Sequence, residues 1–150
     1  MNTAKHLNVS SLRHLLKRRF PFWNKDYIPA MVLSAVIGTF LDNYFVKQQL
    51  YEFPYRPFPE LFSVNIVFTL LGLPVLVMIL LHNMKRVNLW GKAGLIIFLS
   101  LLMPILEKLA EVCGLFVHSS EWKHLYTFAG YLVFLTIIYL FHQWVEKQKG

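Results

Sequence analysis

Acidic residues and cysteine are scarce in this chain, with 8 Asp+Glu and 1 Cys in 150 residues. A single cysteine excludes a disulfide framework within the chain and any Cys-cluster metal site. Charged residues of both signs reach only 15%, against about 25% in soluble domains. Hydrophobic residues reach 56% and the mean hydropathy is positive. A small soluble fold buries only about two-thirds of its surface, so it could not hide that much apolar side chain. An ordinary soluble enzyme domain, a disordered chain and a collagen-like fibre are therefore excluded. Catalytic motifs are missing too: there is no HExxH, no glycine-rich phosphate loop and no nucleophile elbow. No enzymatic activity, cofactor or metal is expected, and no internal repeat is visible.

Long apolar runs are what the sequence does have. About 20 apolar residues of helix cross a bilayer core of about 30 Å, and four stretches qualify. They run over about 27–46, 61–81, 93–112 and 125–141. They are apolar on all sides, as lipid-facing helices are, whereas a soluble bundle needs polar outer faces. Pro54, Pro57 and Pro59 break the chain between the first two runs, since each removes a backbone donor. The fold expected is all-α: an integral membrane four-helix bundle over 27–142, preceded by a basic segment over 1–26 and followed by a tail over 143–150.

Lysine and arginine set the direction. Eleven of them, from Lys5 to Lys25, then Lys85, Arg86, Lys92, Lys147 and Lys149, fall on one side, and Lys47, Arg56, Lys108 and Lys123 fall on the other. Both termini are therefore expected in the cytoplasm. Residues 1–25 contain no acid. Leu12, Leu15, Leu16 and Phe20 share one helical face, with Arg13, Lys17, Arg18 and Arg19 as the candidate contacts to anionic lipid. The basic surface then faces the anionic inner leaflet, so nucleic acid is not needed as a partner.

Polar residues inside apolar spans are costly, by roughly 2.5–3.5 kcal/mol for a charge on insertion scales, so their spacing is informative. Ala30, Ser34, Gly38 and Asp42 recur every four residues. The first three form a small-residue stripe that predicts close helix packing. Ser100, Pro104, Glu107 and Glu111 share a face of the third span. Asn65, Thr69 and Gly72 do so in the second, and His124, Thr127 and Tyr131 in the fourth. All lie in the half of the membrane opposite the basic face. If they converge, Asp42, Asn65, Thr69, Glu107, Glu111, His124 and Tyr131 line a polar pocket above an apolar floor. Glu107 and Glu111 stand one turn apart, about 6 Å. Two carboxylates that close in low dielectric call for a shared proton or a cation. Alternatively they form plain salt bridges with Lys108, Arg56 or Lys123. His118 and His124 offer further ligand atoms, but no paired-histidine spacing accompanies them. His82 and His142 are expected at span ends, where they favour the helix dipole.

Several of these residues carry a family likeness. Ile37-Gly38, Asp42-Asn43-Tyr44, Leu50-Tyr51-Glu52-Phe53, Ile105-Leu106-Glu107, Gly114-Leu115-Phe116 with His118, Trp122 and His142-Gln143-Trp144 follow in order. Over about residues 33–145 the chain resembles a family of small multi-span integral membrane proteins of Bacillus-type spore-forming bacteria. The resemblance implies about four helices and a bacterial plasma membrane, and it implies no activity. The function expected is a binding, partner-subunit or assembly role with no chemistry of its own, in contact with lipid and with another membrane protein or a second copy. A carrier or sensor for protons, cations or a basic solute, using the acidic pocket, is the alternative. A lipid-modifying membrane enzyme is a further one.

Overall fold

The computed structural model describes residues 24–150. The basic segment with Arg13, Lys17, Arg18 and Arg19, and the amphipathic helix expected there, lie outside the described residues. The described chain is mostly helical, and three helical stretches, Lys25–Lys47, Leu89–Val112 and His124–Lys149, are long and apolar enough to cross a membrane.

Helix α1 (Ile28–Lys47) continues from a 3-10 turn whose Asp26 N–H is capped by the Asn24 side chain at 3.0 Å. Pro29 stands in its first turn, where a missing N–H costs nothing. The second apolar run is shorter as a helix than as a sequence. Residues 61–65 are not helical, and helix α2 (Leu73–Met84) is preceded by a widened π turn over Phe68–Gly72. Two causes are visible. The Asn65 side chain accepts from the Phe68 N–H at 3.3 Å and so starts the helix late. Pro74 has no N–H for the Leu70 carbonyl, and the widened turn lies just before it. Phe68–Met84 is an apolar helix about 26 Å long at 1.5 Å per residue, short of a bilayer core.

Helix α3 (Leu89–Val112) starts four residues ahead of the expected boundary at 93, because Asn88 caps the Gly91 N–H at 2.9 Å. Helix α4 (His124–Lys149) runs on through the expected tail. Its last turns are held by Lys149–Asp26 at 3.1 Å and by Glu146–Lys85 at 3.5 Å. His142 is therefore a buried residue within the helix, two turns before its end.

The helices run up and down. Helix α4 packs on α3 and α1, and α1 packs on α2. Leu73, Val77, Leu80, Leu135 and Ile138 form the centre with Ala30. Ala30, Ser34 and Gly38 are buried along α1. A Cβ on Gly38 would lie 2.1 Å from Leu73 Cδ1, so the Leu73 side chain lies directly against the α1 backbone where the small residue leaves space. The outward faces stay apolar, with Val36, Phe40, Phe98, Ile105, Val133 and Leu140 exposed.

Helices α1 and α3 end alike. In each, the chain turns through a residue of positive φ, Gln49 at 56° and Gly114 at 73°. Leu50 N–H then reaches the Phe45 carbonyl at 3.1 Å, and Leu115 N–H the Ala110 carbonyl at 2.9 Å. These are Schellman closures, which satisfy the last helical carbonyls and reverse the chain. The two returning segments pair as antiparallel strands β1 (Tyr51–Glu52) and β2 (Val117–His118), with Tyr51 opposite His118. Ser119 N–H to the Leu50 carbonyl, 2.9 Å, extends the pairing.

Candidate functional site

The strand pair carries an aromatic lid. Tyr51, Phe116 and Trp122 are buried together with Phe45 and Phe53 packed beside them. Ring centroids lie 5.0 Å apart for Tyr51–Trp122 and 5.1 Å for Tyr51–Phe116, distances at which tilted and edge contacts are favourable. Each lid residue with a polar tip reaches a carboxylate below it. Tyr51 donates its hydroxyl to Asp42 Oδ1 at 2.6 Å, and Trp122 donates its indole N–H to Glu107 Oε1 at 3.2 Å. Burial, and then the charge of Asp42, push the Tyr51 phenol well above its ordinary value, so it remains a donor.

Glu107 is the hub. Its side chain is 11% exposed. Besides Trp122 it meets His124 Nδ1 at 2.7 Å through Oε1, and the Thr127 hydroxyl donates to Oε2. Donors from three sequence positions on α4 and its approach thus converge on one carboxylate of α3. The spacing that puts His124 and Thr127 on one face of α4 places both over it.

Glu111, one turn further on, meets a different set. Lys108 Nζ lies 2.6 Å from Oε2, His118 Nε2 lies 3.3 Å from Oε1, and His124 Nε2 lies 4.0 Å from Oε2. His118 is held in turn, with Nδ1 2.8 Å from the Ser119 carbonyl oxygen. The two glutamates therefore do not close on a shared proton of their own. His124 stands between them, Nδ1 toward Glu107 and Nε2 toward Glu111.

The seven expected pocket residues divide. Glu107, Glu111 and His124 form the cluster just described. Tyr131 lies within electrostatic range of both Asp42 and Glu107. Asp42 is turned to Tyr51 by one oxygen, and its other oxygen is buried without a hydrogen-bond partner among the described residues. Asn65 and Thr69 stay apart. Asn65 caps its own helix, and the Thr69 hydroxyl lies 3.4 Å from the Ile66 carbonyl of the preceding turn. The physical reason is the late start of the second helix, which spends these polar groups on its own first turns. An apolar groove of about 620 Å³ lies beside Asn65, Phe68 and Leu71, and none of the acids lines it. Trp122 and Thr127 belong to the cluster although sequence reading gave neither a role of its own. Thr127 carried a signal in its face with His124, whereas Trp122 figured only in the family likeness and in no helical face, since it arrives by a loop. Compared with family models, curated proteins and solved structures, the chain matches none of them.

Proposed function

We propose that this chain is a small multi-span protein of a bacterial plasma membrane that works by binding, as a partner subunit or assembly component, with no chemistry of its own. The observation that carries this reading is the state of the carboxylates. Glu107 holds donors from Trp122, His124 and Thr127, and Glu111 is paired with Lys108. Acids so engaged brace the lid against α3 and α4, whereas a carrier needs acids that open to a path. The resemblance to the Bacillus-type family supports the multi-span plasma-membrane part of this reading and says nothing of the role.

In this arrangement Lys25–Lys47, Leu89–Val112 and His124–Lys149 cross the bilayer, and Phe68–Met84 crosses as a short fourth span, matched by local thinning of the lipid. The lid faces outward and both termini face the cytoplasm, by the lysine and arginine distribution. Arg13, Lys17, Arg18 and Arg19 add contacts to anionic lipid. The exposed apolar faces of α1, α3 and α4 meet lipid and the partner.

The test is photo-crosslinking in the native membrane from Val36, Phe98 and Val133, one exposed position on each long helix. A discrete adduct of defined mass from one of these faces, absent from the others, is expected. Proton or cation flux in proteoliposomes that Glu107→Gln abolishes would overturn the reading in favour of a carrier.

A further inference from the structure

Glu111, His118 and His124 each present one ligand atom within 4.8 Å of the other two. They come from the end of α3, from β2 and from the first residue of α4. Helix α3, the lid and α4 thus meet at one point. The protonation of the two histidines makes the point unusual. His118 Nδ1 faces a carbonyl oxygen, which only accepts, so Nδ1 carries the ring proton. His124 Nδ1 faces Glu107 Oε1, which already takes the Trp122 indole N–H, so that nitrogen carries its proton too. In the neutral rings both Nε2 atoms are then bare lone pairs, and both are directed at the Glu111 carboxylate, 3.3 Å and 4.0 Å away. Lone pairs facing lone pairs need a positive centre between them.

We propose that Glu111, His118 and His124 bind a divalent metal ion of the zinc class. Two imidazoles and a carboxylate are a borderline donor set that suits zinc. A tetrahedral ion with bonds of about 2.0–2.1 Å holds its ligand atoms about 3.3 Å apart. The His118 Nε2–Glu111 Oε1 separation is already 3.3 Å, and one ligand atom from each of the three residues lies within 4.8 Å of the others, so a modest closure of the His124 ring completes the set. Lys108 takes Oε2 of Glu111 and leaves Oε1 directed at His118. Metal-binding histidines characteristically donate their second ring N–H to a carboxylate or a backbone carbonyl, which fixes tautomer and orientation. Here Glu107 does this for His124, and Ser119 does it for His118. The side chains are 20%, 27% and 36% exposed for His118, Glu111 and His124, so an ion reaches them from solvent. A fourth position is left for water or for a group from a partner. The inference goes beyond the partner reading and stands without it, because it rests on the cluster alone.

The test uses the full chain in detergent, stripped with chelator and titrated with Zn²⁺, and with Co²⁺ as the spectroscopic probe. One ion per chain is expected, with the intense visible bands of four-coordinate Co²⁺. Zn²⁺ should raise the thermal midpoint of the wild type, as any ligand of the native state does. His118→Ala should weaken binding at least about tenfold and remove the thermal shift. Glu111→Gln, which keeps the side-chain shape, gives the same readout should His118→Ala fail to fold. A double variant, His6→Ala with His14→Ala, should bind as the wild type does. No saturable site in the wild type would overturn the inference and leave imidazolium protons as the positive centres. Affinity unchanged in both His118→Ala and Glu111→Gln would overturn it equally.

Discussion

Each end of the bundle pairs glutamate with histidine, and the two ends neutralise the pair by different means. At the end that gathers Tyr27, Lys85 and the last turns of α4, His142 Nε2 lies 3.3 Å from Glu146, and Lys85 lies 3.5 Å from the same oxygen. Lysine charge completes the set, and Lys85 also stands 4.9 Å over the Tyr27 ring. Lys149 pairs with Asp26 beside it. At the lid end, Lys108 is the lysine paired with Glu111, and Glu107 is met by uncharged donors and an imidazole. Exposure differs as well: Glu146 is 42% exposed and Glu107 11%. The difference teaches where the structure depends on its polar groups. The exposed Lys85–Glu146 pair is replaceable, because water and salt take over its role. A desolvated hub is not, because every donor aimed at it is left without an acceptor when it goes.

The sharpest way to break that contrast is at Glu107. Glu107→Leu keeps the bulk and removes the acceptor for Trp122, His124 and Thr127. Trp122 and Thr127 are buried, and an unpaired buried donor costs about 1–3 kcal/mol. A destabilisation of about 3 kcal/mol or more is expected, read as a fall in the denaturation midpoint in detergent. Glu107→Gln retains an acceptor oxygen and should cost about 1 kcal/mol. Equal stability of Glu107→Leu and the wild type would show that the lid does not depend on the hub.

Much of this fold was legible in the apolar runs, and much of the site was not. The run at 27–46 matches α1 almost residue for residue, because Pro29 and the polar stretch after Lys47 mark its ends. The run at 61–81 misled, because hydropathy does not register that Asn65 caps the Phe68 N–H. Along α3 and α4, helical periodicity placed Glu107 with Glu111, and His124 with Thr127. It could not say that these two faces meet, because that depends on packing between the helices. His118 and Trp122 reach the site through a Schellman turn and a two-residue strand pair. Such short elements leave almost no periodic trace. The paired histidines are separated by strand and loop rather than by a helical repeat, so no motif spacing announced them.

The middle of the bundle offers a second, smaller test, which separates packing from polar effects. A side chain on Gly38 would have to displace the end of the buried Leu73 side chain. Gly38→Leu should cost about 1–3 kcal/mol, the usual scale of overpacking in a core. Val36 is 61% exposed, and Val36→Leu should change the midpoint little. Should the two variants behave alike, the α1–α2 contact is looser than the structure has it.

The smallest effect is expected at the opposite end from Glu107, and it completes the comparison. Glu146→Gln removes a charge shared by Lys85 and His142 but keeps a side chain of the same length. The Lys85 and Glu146 side chains are 44% and 42% exposed, so solvent already screens their attraction. Exposed pairs of this kind contribute about 0–1 kcal/mol, and less as salt rises. The expected loss for Glu146→Gln is therefore under about 1 kcal/mol at low salt, shrinking toward zero at high salt. Glu107→Leu should keep most of its cost at both salt concentrations, because desolvation of unpaired donors is not screened by ions. The measurement is the pair of midpoints for each variant at two ionic strengths. A large, salt-independent loss at Glu146 would mean that the buried ring of His142 depends on this carboxylate as His124 depends on Glu107. The two ends would then be alike, and the contrast between a solvated pair and a desolvated hub would fail.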